Sequence, residues 1–373
     1  MIARSSFFFF FILITAATFF TGATYVLLTN SVTPKQDHYS VIPLLAPVPT
    51  VETSWSDRAV VTTVPLQQDT LRLTFVGDVL LARSVELLMD SYGVVYPFRH
   101  TDELFASSSA VFANFEAAIP ATHERTRAYT TKFSVRKQLI PALAQSGITH
   151  VSLANNHSLD FGESAYRNTR EVLLQNNITP FGHSENLSTS SVTFVTTGTT
   201  TVAILALHAV FEQPDPVMLK QLVSYMESQS TLQIVYMHAG TEYAPTHDLV
   251  QEKLAHYLVT LGIDAIIGHH PHVVEDVQLI QGVPVFYSLG NFIFDQYFST
   301  DVQNGLLLTL DVSNDQLVFT LVPVTSIGTH AQPRAMQGED RADFLATLAR
   351  RSDPEIAESI KQGMLILQRP LAE

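Results

Sequence analysis

The chain has 373 residues, of which 46% are apolar, so it can bury a core and form one large domain or two ordinary ones. Its formal net charge of −14 argues against a nucleic-acid partner, because phosphate backbones are bound by surfaces rich in lysine and arginine. The absence of cysteine excludes disulfides and thiolate metal sites, so any metal ion must be bound by oxygen and imidazole.

Residues 1–30 are predicted to be an N-terminal membrane segment. Residues 7–28 form an uncharged, mostly apolar run of 22 residues, which as a helix can cross a hydrocarbon core of ~30 Å. The alternative is a cleaved secretory signal, whose apolar region usually spans only ~7–15 residues. In either case the remaining chain is exported, and Arg4 stays on the inner side of the membrane. We therefore expect a single-pass protein of the cell membrane with its main domain on the extracytoplasmic side.

Three further regions follow this segment. Residues 31–70 carry five prolines and show no helical period, which predicts an extended linker. Residues 71–330 contain the strand and helix patterns of the main domain. Residues 331–373 are predicted to form a helical tail of one or two short amphipathic helices.

The main domain alternates predicted strands with predicted helices. The strands are short apolar runs at residues 71–76, 110–115, 148–154, 232–237 and 264–268. Helical patterns lie at residues 137–146, 164–176, 215–229 and 248–261. Later apolar runs without intervening helices, which favour antiparallel pairing, lie at residues 277–280, 283–289, 306–312 and 317–324. The pattern predicts an α/β domain whose core sheet is largely parallel.

Each of the first five predicted strands is followed by polar residues. Asp78, Glu116 and His238 follow three of them, residues 155–157 (Asn-Asn-His) follow another, and the histidine cluster at residues 269–272 follows the fifth. Ligands of open α/β sheets bind at the edge where the carboxyl ends of the strands meet. We therefore expect these side chains to converge, although they are far apart in sequence.

The residue types at these strand ends are those that bind divalent metal ions. Hard and borderline cations favour carboxylate, amide oxygen and neutral imidazole. Enough donors are present for two ions bridged by a carboxylate: Asp78, Glu116, Asn156, His238, His270 and His272. Two ions can lower the pKa of a water and stabilise both oxygens of a displacement at phosphorus, while His157 exchanges a proton with the leaving group. They would also provide the positive charge that this acidic chain needs to bind an anionic substrate.

Each of these residues also has a structural interpretation when it is taken alone. The alternatives are a helix N-cap for Asp78, a surface carboxylate for Glu116, turn residues for Asn155 and Asn156, and a hydrogen-bonded core histidine for His238. The histidine cluster is harder to explain in this way. Pro271 stiffens it, and an extended backbone would point His270 and His272 to the same side.

Several stretches of the chain resemble the CapA family of bacterial poly-γ-glutamate capsule biosynthesis proteins, whose domain is similar to that of the calcineurin-like metallophosphoesterases. They are "FVGDVLLAR" (75–83), "ANFEAAI" (113–119), "KFSVRKQ" (132–138), "VSLANNHSLDFG" (151–162), "HAGTEY" (238–243) and "GIDAIIGHHPHVVEDVQLIQGVPVFYSLGNFIFDQ" (262–296). The similarity covers residues 71–324, and the last stretch is highly specific. It implies a layered sandwich of two mixed β-sheets flanked by helices.

The resemblance implies the same six metal ligands, with Asn156 and His157 as catalytic residues. It also places residues of the family motifs at the edge of the site: His269, Glu242, Asn291 and Asp295. Two positions beside the expected cleft depart from the family pattern, since Ala239 stands where tryptophan is common and His183 where glycine is usual. Phe115 replaces a usual leucine, and Glu116 stands where the wider superfamily has aspartate, as it does in the CapA family generally.

Two functions are consistent with these observations. The first is a membrane-anchored, metal-dependent hydrolase of capsule or poly-γ-glutamate biosynthesis or export, acting on a phosphoester or an anionic envelope polymer. The second is a non-catalytic subunit of a membrane synthase complex, in which the bound ions hold carboxylates of poly-γ-glutamate. A degenerate domain used only as a scaffold is a third alternative. Mn, Zn, Fe and Mg are not distinguished by the sequence.

Overall fold

The structure, a computed structural model, describes residues 71–127 and 130–369. The predicted membrane segment and the predicted linker lie outside the described residues. Among the residues that are described, no helix combines the length and the apolar character needed to cross a bilayer.

The described chain alternates strands and helices over most of its length. The strands are β1 (Leu71–Val79), β2 (Ala110–Phe115), β3 (His150–Ser152), β4 (Thr179–Phe181), β5 (Val192–Thr197), β6 (Thr200–His208), β7 (Leu232–His238), β8 (Ala265–His269), β9 (Val277–Ile280), β10 (Val283–Phe286), β11 (Asn291–Ile293), β12 (Asn304–Val312), β13 (Gln316–Thr325), β14 (Arg334–Ala335) and β15 (Met364–Gln368). The α-helices are α1 (Arg83–Tyr92), α2 (Thr101–Leu104), α3 (Ile140–Gln145), α4 (Gly162–Gln175), α5 (Pro216–Gln229), α6 (Leu249–Thr260), α7 (Gly338–Arg351) and α8 (Ala357–Gln362).

The strands form two mixed sheets. The nine-stranded sheet has the order β14-β13-β12-β1-β2-β3-β4, with β11 paired to β1 and β15 paired to β13. Its half from β1 to β4 is parallel, whereas β12 to β15 pair antiparallel. The six-stranded sheet has the order β5-β6-β7-β8-β10-β9, with parallel strands at its centre and the antiparallel strands β5 and β9 at its edges.

The core lies between the two sheets and continues under the outer helices. Phe75 and Phe112 of the first sheet belong to the same buried cluster as Ile234 of the second. The neighbouring residues Val111 and Ala113 point to the opposite face, where they pack with residues of the helical layer. Strands buried on both faces are continuously apolar, as these are. The expected arrangement of two mixed sheets flanked by helices is confirmed.

The C-terminal segment contributes a strand as well as helices. The sequence predicts residues 364–368 to be part of the helical tail, but they form β15 and pair with β13 from Gln316 to Thr320. The change occurs at Gly363, whose φ of 75° ends α8 in the left-handed conformation that glycine adopts without strain. The tail is therefore part of the nine-stranded sheet.

A close approach of two backbones positions the end of β1. A Cβ atom added to Gly77 would lie 1.7 Å from the carbonyl oxygen of Gly290, so only glycine fits there. The amide of Asp78 donates to that same oxygen at 3.1 Å, and Asp78 is paired in register with Asn291. The contact brings the carboxyl ends of β1 and β11 to the same place.

A buried polar pair connects α6 to the segments that carry His238 and His272. The Nε2 of Gln251 donates to the carbonyl oxygen of Ala239 at 3.3 Å and to Oε2 of Glu275 at 2.8 Å. The other carboxylate oxygen of Glu275 is buried and has no hydrogen-bond partner among the described residues. Burial and the charge of Asp276 raise the pKa of Glu275 to about 8.

Replacing Glu275 with glutamine is expected to remove a pH-dependent loss of stability. Because its pKa is raised, the carboxyl group of Glu275 binds its proton more tightly in the folded protein than in the unfolded chain, where the pKa is 4.5. Wild-type stability therefore falls as the pH rises from 4.5 to about 8. Above that range, Glu275→Gln should be more stable than wild type by roughly 2–4 kcal/mol in urea unfolding.

The matched control is Glu339→Gln, which changes an exposed carboxylate in the first turn of α7. It should leave the pH profile of stability as it is in wild type. Parallel profiles for Glu275→Gln and wild type across the same pH range would contradict the account of Glu275.

Candidate metal centre

The polar residues that follow the five predicted strands converge at one edge of the two sheets. Asp78 lies near the end of β1, Glu116 follows β2, His238 ends β7 and His269 ends β8, and all four are fully buried. Asn156 follows β3, and its Oδ1 is 2.9 Å from Nε2 of His238. The structure thus brings together side chains from distant strands, as the sequence predicts.

The carboxylate of Asp78 lies at the centre of this cluster. Its Oδ1 accepts a hydrogen bond from Nδ2 of Asn114 at 2.8 Å and lies 3.7 Å from Nδ1 of His269. Its Oδ2 lies 3.3 Å from Nδ1 of His272 and 3.4 Å from the backbone nitrogen of His270. The two carboxylate oxygens therefore face different histidines.

The donor atoms form two groups that share Asp78. One group consists of Asp78, His238 and His269, and the other of Asp78, Glu116 and His272. Within each group the donor atoms lie within 4.8 Å of one another. Three buried donors that both sheets help to position are the usual composition of a metal site, and a shared carboxylate is the usual bridge between two ions.

The histidine cluster reaches the site by a route that the sequence analysis did not anticipate. His270 and His272 have φ values of 109° and 60°, so the segment is not extended but turns twice through left-handed conformations. The ring of His270 lies 4.6 Å from that of His238, and Nδ1 of His272 lies 2.9 Å from Oδ1 of Asn291. Both rings still face the cluster, and backbone strain of this kind is typical of functional sites.

His269 is placed differently from expectation. The family motif assigned it to the edge of the site, but it is fully buried inside, with its Nδ1 2.7 Å from Nδ1 of His238. The reason is that His269 is still part of β8, whose register aligns it with His238 on β7.

The other residues expected at the edge lie around the cluster. Asn291 contacts His272 as described, and Asp295 forms an ion pair with Arg83 and accepts from the amide of Ser84 at 3.0 Å. Glu242 is exposed, and its charge acts on Glu116.

The pKa shifts describe a centre that favours cations. Burial and neighbouring histidines lower the pKa of His238 well below its usual value, and burial lowers that of His269 to about 4 and that of His270 to about 3. Neutral imidazole is the form that binds metals. Burial and the charge of Asp78 raise the pKa of Glu116, because two carboxylates share a site with little water.

The residues present fit divalent cations. Three buried atoms of the cluster have no hydrogen-bond partner among the described residues: Oε1 of Glu116, Nδ1 of His270 and Nε2 of His269. A lone pair that is buried without a partner costs free energy unless a donor or a cation satisfies it. Oε1 of Glu116 lies 3.8 Å from Nε2 of both His157 and His272, so a cation among these atoms would be close to all three.

His157 lies beside the cluster in a fixed orientation. Its Nδ1 is 3.0 Å from Oδ2 of Asp160, and its ring stacks on Phe133 with centroids 3.9 Å apart. The hydrogen bond to Asp160 leaves Nε2 directed toward Glu116. This is the arrangement of an imidazole whose proton a carboxylate positions.

Asn114 and Arg83 also lie beside the centre, and like Asp160 they are not predicted from the sequence. Nδ2 of Asn114 donates to Asp78 and lies 3.3 Å from Nδ1 of His238, and Oδ1 of Asn114 accepts from Asn155 at 2.9 Å. A polar residue inside an apolar strand was the available signal for Asn114. Arg83 has a φ of 53° and holds its guanidinium 4.6 Å from the ring centroid of Phe133.

Comparison with known proteins identifies the family. The model of a bacterial capsule synthesis protein family, PGA_cap, matches residues 72–296. The chain belongs to this family. The capsule biosynthesis protein CapA of Bacillus anthracis is 29% identical over 307 residues, covering 76% of this chain and 74% of the relative. The PGA biosynthesis protein CapA of Bacillus subtilis (strain 168) is 30% identical over 274 residues, covering 69% of this chain and 72% of the relative.

More distant likenesses are found among solved structures. A phosphatase from Mycoplasma pneumoniae is 14% identical with a TM-score of 0.43, covering 72% of this chain and 93% of its own. A hypothetical protein from Thermus thermophilus is 17% identical with a TM-score of 0.43, covering 71% of this chain and 96% of its own. Likenesses at this level say nothing of activity.

The shared carboxylate gives a graded prediction for metal content. Asp78→Asn should remove nearly all bound divalent metal, because both donor groups lose their common ligand. His238→Ala and His272→Ala should each lower it to about half, because each belongs to one group only. Elemental analysis after gel filtration in Mn²⁺ measures this, with His256→Ala on the exposed face of α6 as the control. Full metal retention in Asp78→Asn would contradict the assignment.

Proposed function

We propose that this protein is a divalent-metal-dependent hydrolase of capsule or poly-γ-glutamate biosynthesis or export, acting on a phosphoester or an anionic envelope polymer. The observation that carries the proposal is the pair of buried donor groups that share Asp78 beside the oriented imidazole of His157. The family and the names of the two Bacillus relatives support a role in the capsule. The predicted helix of residues 7–28 would anchor the protein in the membrane, with this domain on the extracytoplasmic side.

The metal ions would be held by the carboxylates, amide and imidazoles of the centre: Asp78, Glu116, Asn156, His238, His270 and His272, with His269 in addition. When bound, such ions lower the pKa of a water and neutralise charge on the oxygens of a transferring phosphoryl group. The protein keeps them away from bulk water, because Asp78, Glu116 and His238 are fully buried.

His157 is assigned the proton transfer at the leaving group. Asp160 accepts a hydrogen bond from Nδ1, and the ring stacks on Phe133, so both contacts favour one orientation of the imidazole. The other ring nitrogen, Nε2, lies 3.8 Å from Oε1 of Glu116. It is therefore beside the proposed metal ligands, where the substrate would react. A positioned imidazole can donate a proton to a departing oxygen and accept one in the reverse direction.

Arg83 is assigned to the anionic oxygens of the substrate. Its guanidinium lies over the rings of Phe133 and Phe294, which themselves contact His157 and His272. An ion pair with Asp295 fixes the direction of the guanidinium. The positive charge of Arg83 acts to lower the pKa of Glu116. A guanidinium held in this way matches phosphate or carboxylate geometry.

The second candidate is a non-catalytic subunit that binds poly-γ-glutamate for a membrane synthase or export complex. The name of the Bacillus subtilis relative, a PGA biosynthesis protein, favours it. In that case the bound ions and Arg83 would hold carboxylates of the polymer, and His157 would have no proton to transfer. The two functions therefore differ in what His157 does.

His157→Gln should lower kcat by roughly 10²–10⁴-fold with little change in KM or metal content. Turnover of an aryl phosphate by the full-length, Mn²⁺-loaded protein in detergent measures this, and His256→Ala is the control. Arg83→Gln should mainly raise KM. Absence of turnover with Mn²⁺, Zn²⁺, Fe²⁺ or Mg²⁺, together with retained binding of poly-γ-glutamate, would favour the non-catalytic function instead.

A further inference from the structure

A cavity of about 650 Å³ lies beside the metal centre, on the side of β6 and of the loop after β4. His208, the last residue of β6, lines it. His208 is the register partner of His238, and the two ring centroids are 5.8 Å apart. The cavity therefore adjoins the metal centre through one histidine, and neither the sequence motifs nor the family assignment accounts for it.

The hydrogen bonds of His208 leave one ring atom available. Its Nδ1 lies 2.8 Å from the carbonyl oxygen of Ser184, which can only accept, so the proton is on Nδ1. In the neutral ring Nε2 is then an acceptor, and it is buried with no partner among the described residues. An acceptor in this state requires a donor, which the described part of the chain does not supply.

The other histidine of the cavity has no such free atom. His183 accepts from the amides of Glu185 and Asn186 at Nδ1, at 3.0 Å and 3.1 Å, and its Nε2 lies 3.0 Å from Oε1 of Glu163. His183 therefore holds the loop that forms the cavity wall. Of these two histidines, His208 alone has an unpartnered acceptor in the described structure.

The charge of the lining disfavours anions. Glu185, Glu212 and Asp215 line the cavity, whereas no lysine or arginine is among its lining residues in the described part of the chain. Phe211 packs edge-on against His208 and is 75% exposed, so it offers an aromatic face to a bound group. Carboxylates, an aromatic face and a lone-pair acceptor together suit hydroxyl or ammonium groups.

We propose that His208 and this cavity bind the leaving group of the substrate, and that this group is uncharged or cationic and rich in O–H or N–H donors. The inference rests on the proposed hydrolase function and narrows its substrate to a phosphoester of such a group. An anionic polymer chain does not fit this cavity, because three carboxylates of the lining would repel its carboxylates.

Two phosphoesters of nearly equal size test the proposal by calorimetry on the full-length, Mn²⁺-loaded protein. Glycerol 3-phosphate carries a single hydroxymethyl group where 3-phosphoglycerate carries a carboxylate, and the two are otherwise alike. Glycerol 3-phosphate should bind at least ~10-fold more tightly, and phosphoethanolamine should also bind more tightly than 3-phosphoglycerate. Equal binding of the three esters, or preference for 3-phosphoglycerate, overturns the proposal.

Variants of the cavity residues test which side chains cause the preference for glycerol 3-phosphate over 3-phosphoglycerate. His208→Leu should weaken glycerol 3-phosphate ~10-fold toward the affinity of inorganic phosphate, with phosphate binding and metal content unchanged. The double variant Glu185→Gln with Glu212→Gln should strengthen 3-phosphoglycerate, and His256→Ala should change neither ester. Wild-type affinities in His208→Leu overturn the assignment, as does loss of metal, which would make His208 a ligand.

The proposal for the cavity and the proposed hydrolase function can fail independently of each other. If the esters bind with the expected order but none is turned over, the catalytic function fails and the binding site for a donor-rich group stands. If an aryl phosphate is turned over but the three esters bind equally, the catalytic function stands and the assignment of the cavity fails.

Discussion

The burial of the Asp78 carboxylate is the constraint on which the site depends. One oxygen faces Asn114 and His269, and the other faces His272. Glu116 is buried in the same cluster, and an isolated pair of ionised carboxylates in such a place is very unfavourable. Divalent cations held by the two carboxylates and the histidines would offset this cost, and the donor set and its burial fit such ions.

The fold meets this constraint by bringing strand ends together. Asp78 is held where the backbones of Gly77 and Gly290 touch, which leaves no room for a side chain at Gly77. His238 and His269 are register partners in the second sheet, so the two sheets contribute to the same cluster. The Gln251–Glu275 pair ties α6 to both segments that carry histidines. Positioning is thus a property of the strand ends, of the loops that directly follow them and of buried polar contacts.

The sequence predicts the fold and the convergence of strand ends well, because both depend on local patterns. Apolar runs of strand length, each followed by Asp, Glu, Asn or His, are visible without coordinates. The exact position of each candidate ligand is not visible in the sequence, since it depends on backbone conformation. His270 and His272 adopt positive φ, whereas the sequence predicts an extended backbone there. His269 remains inside β8, whereas the family motif placed it at the edge of the site. The strand of residues 364–368 was missed for a similar reason, because Gly363 ends the helix.

The side chains around the centre show an electrostatic contrast. The guanidinium of Arg83 lies over the rings of Phe133 and Phe294, whereas the cavity that His208 lines carries three carboxylates. A substrate with an anionic group toward Arg83 and a donor-rich group toward His208 satisfies both. Arg83 and bound cations would together supply the positive charge that a chain with a net charge of −14 needs in order to bind an anion.

Anomalous diffraction from crystals of the Mn²⁺-loaded protein tests the central claim most directly. The account predicts two peaks, each within ~2.0–2.6 Å of a different oxygen of Asp78, one beside His238 and the other beside Glu116 and His272. A cluster that binds Mn²⁺ without Asp78, or that shows no peak at saturating Mn²⁺, would contradict the account.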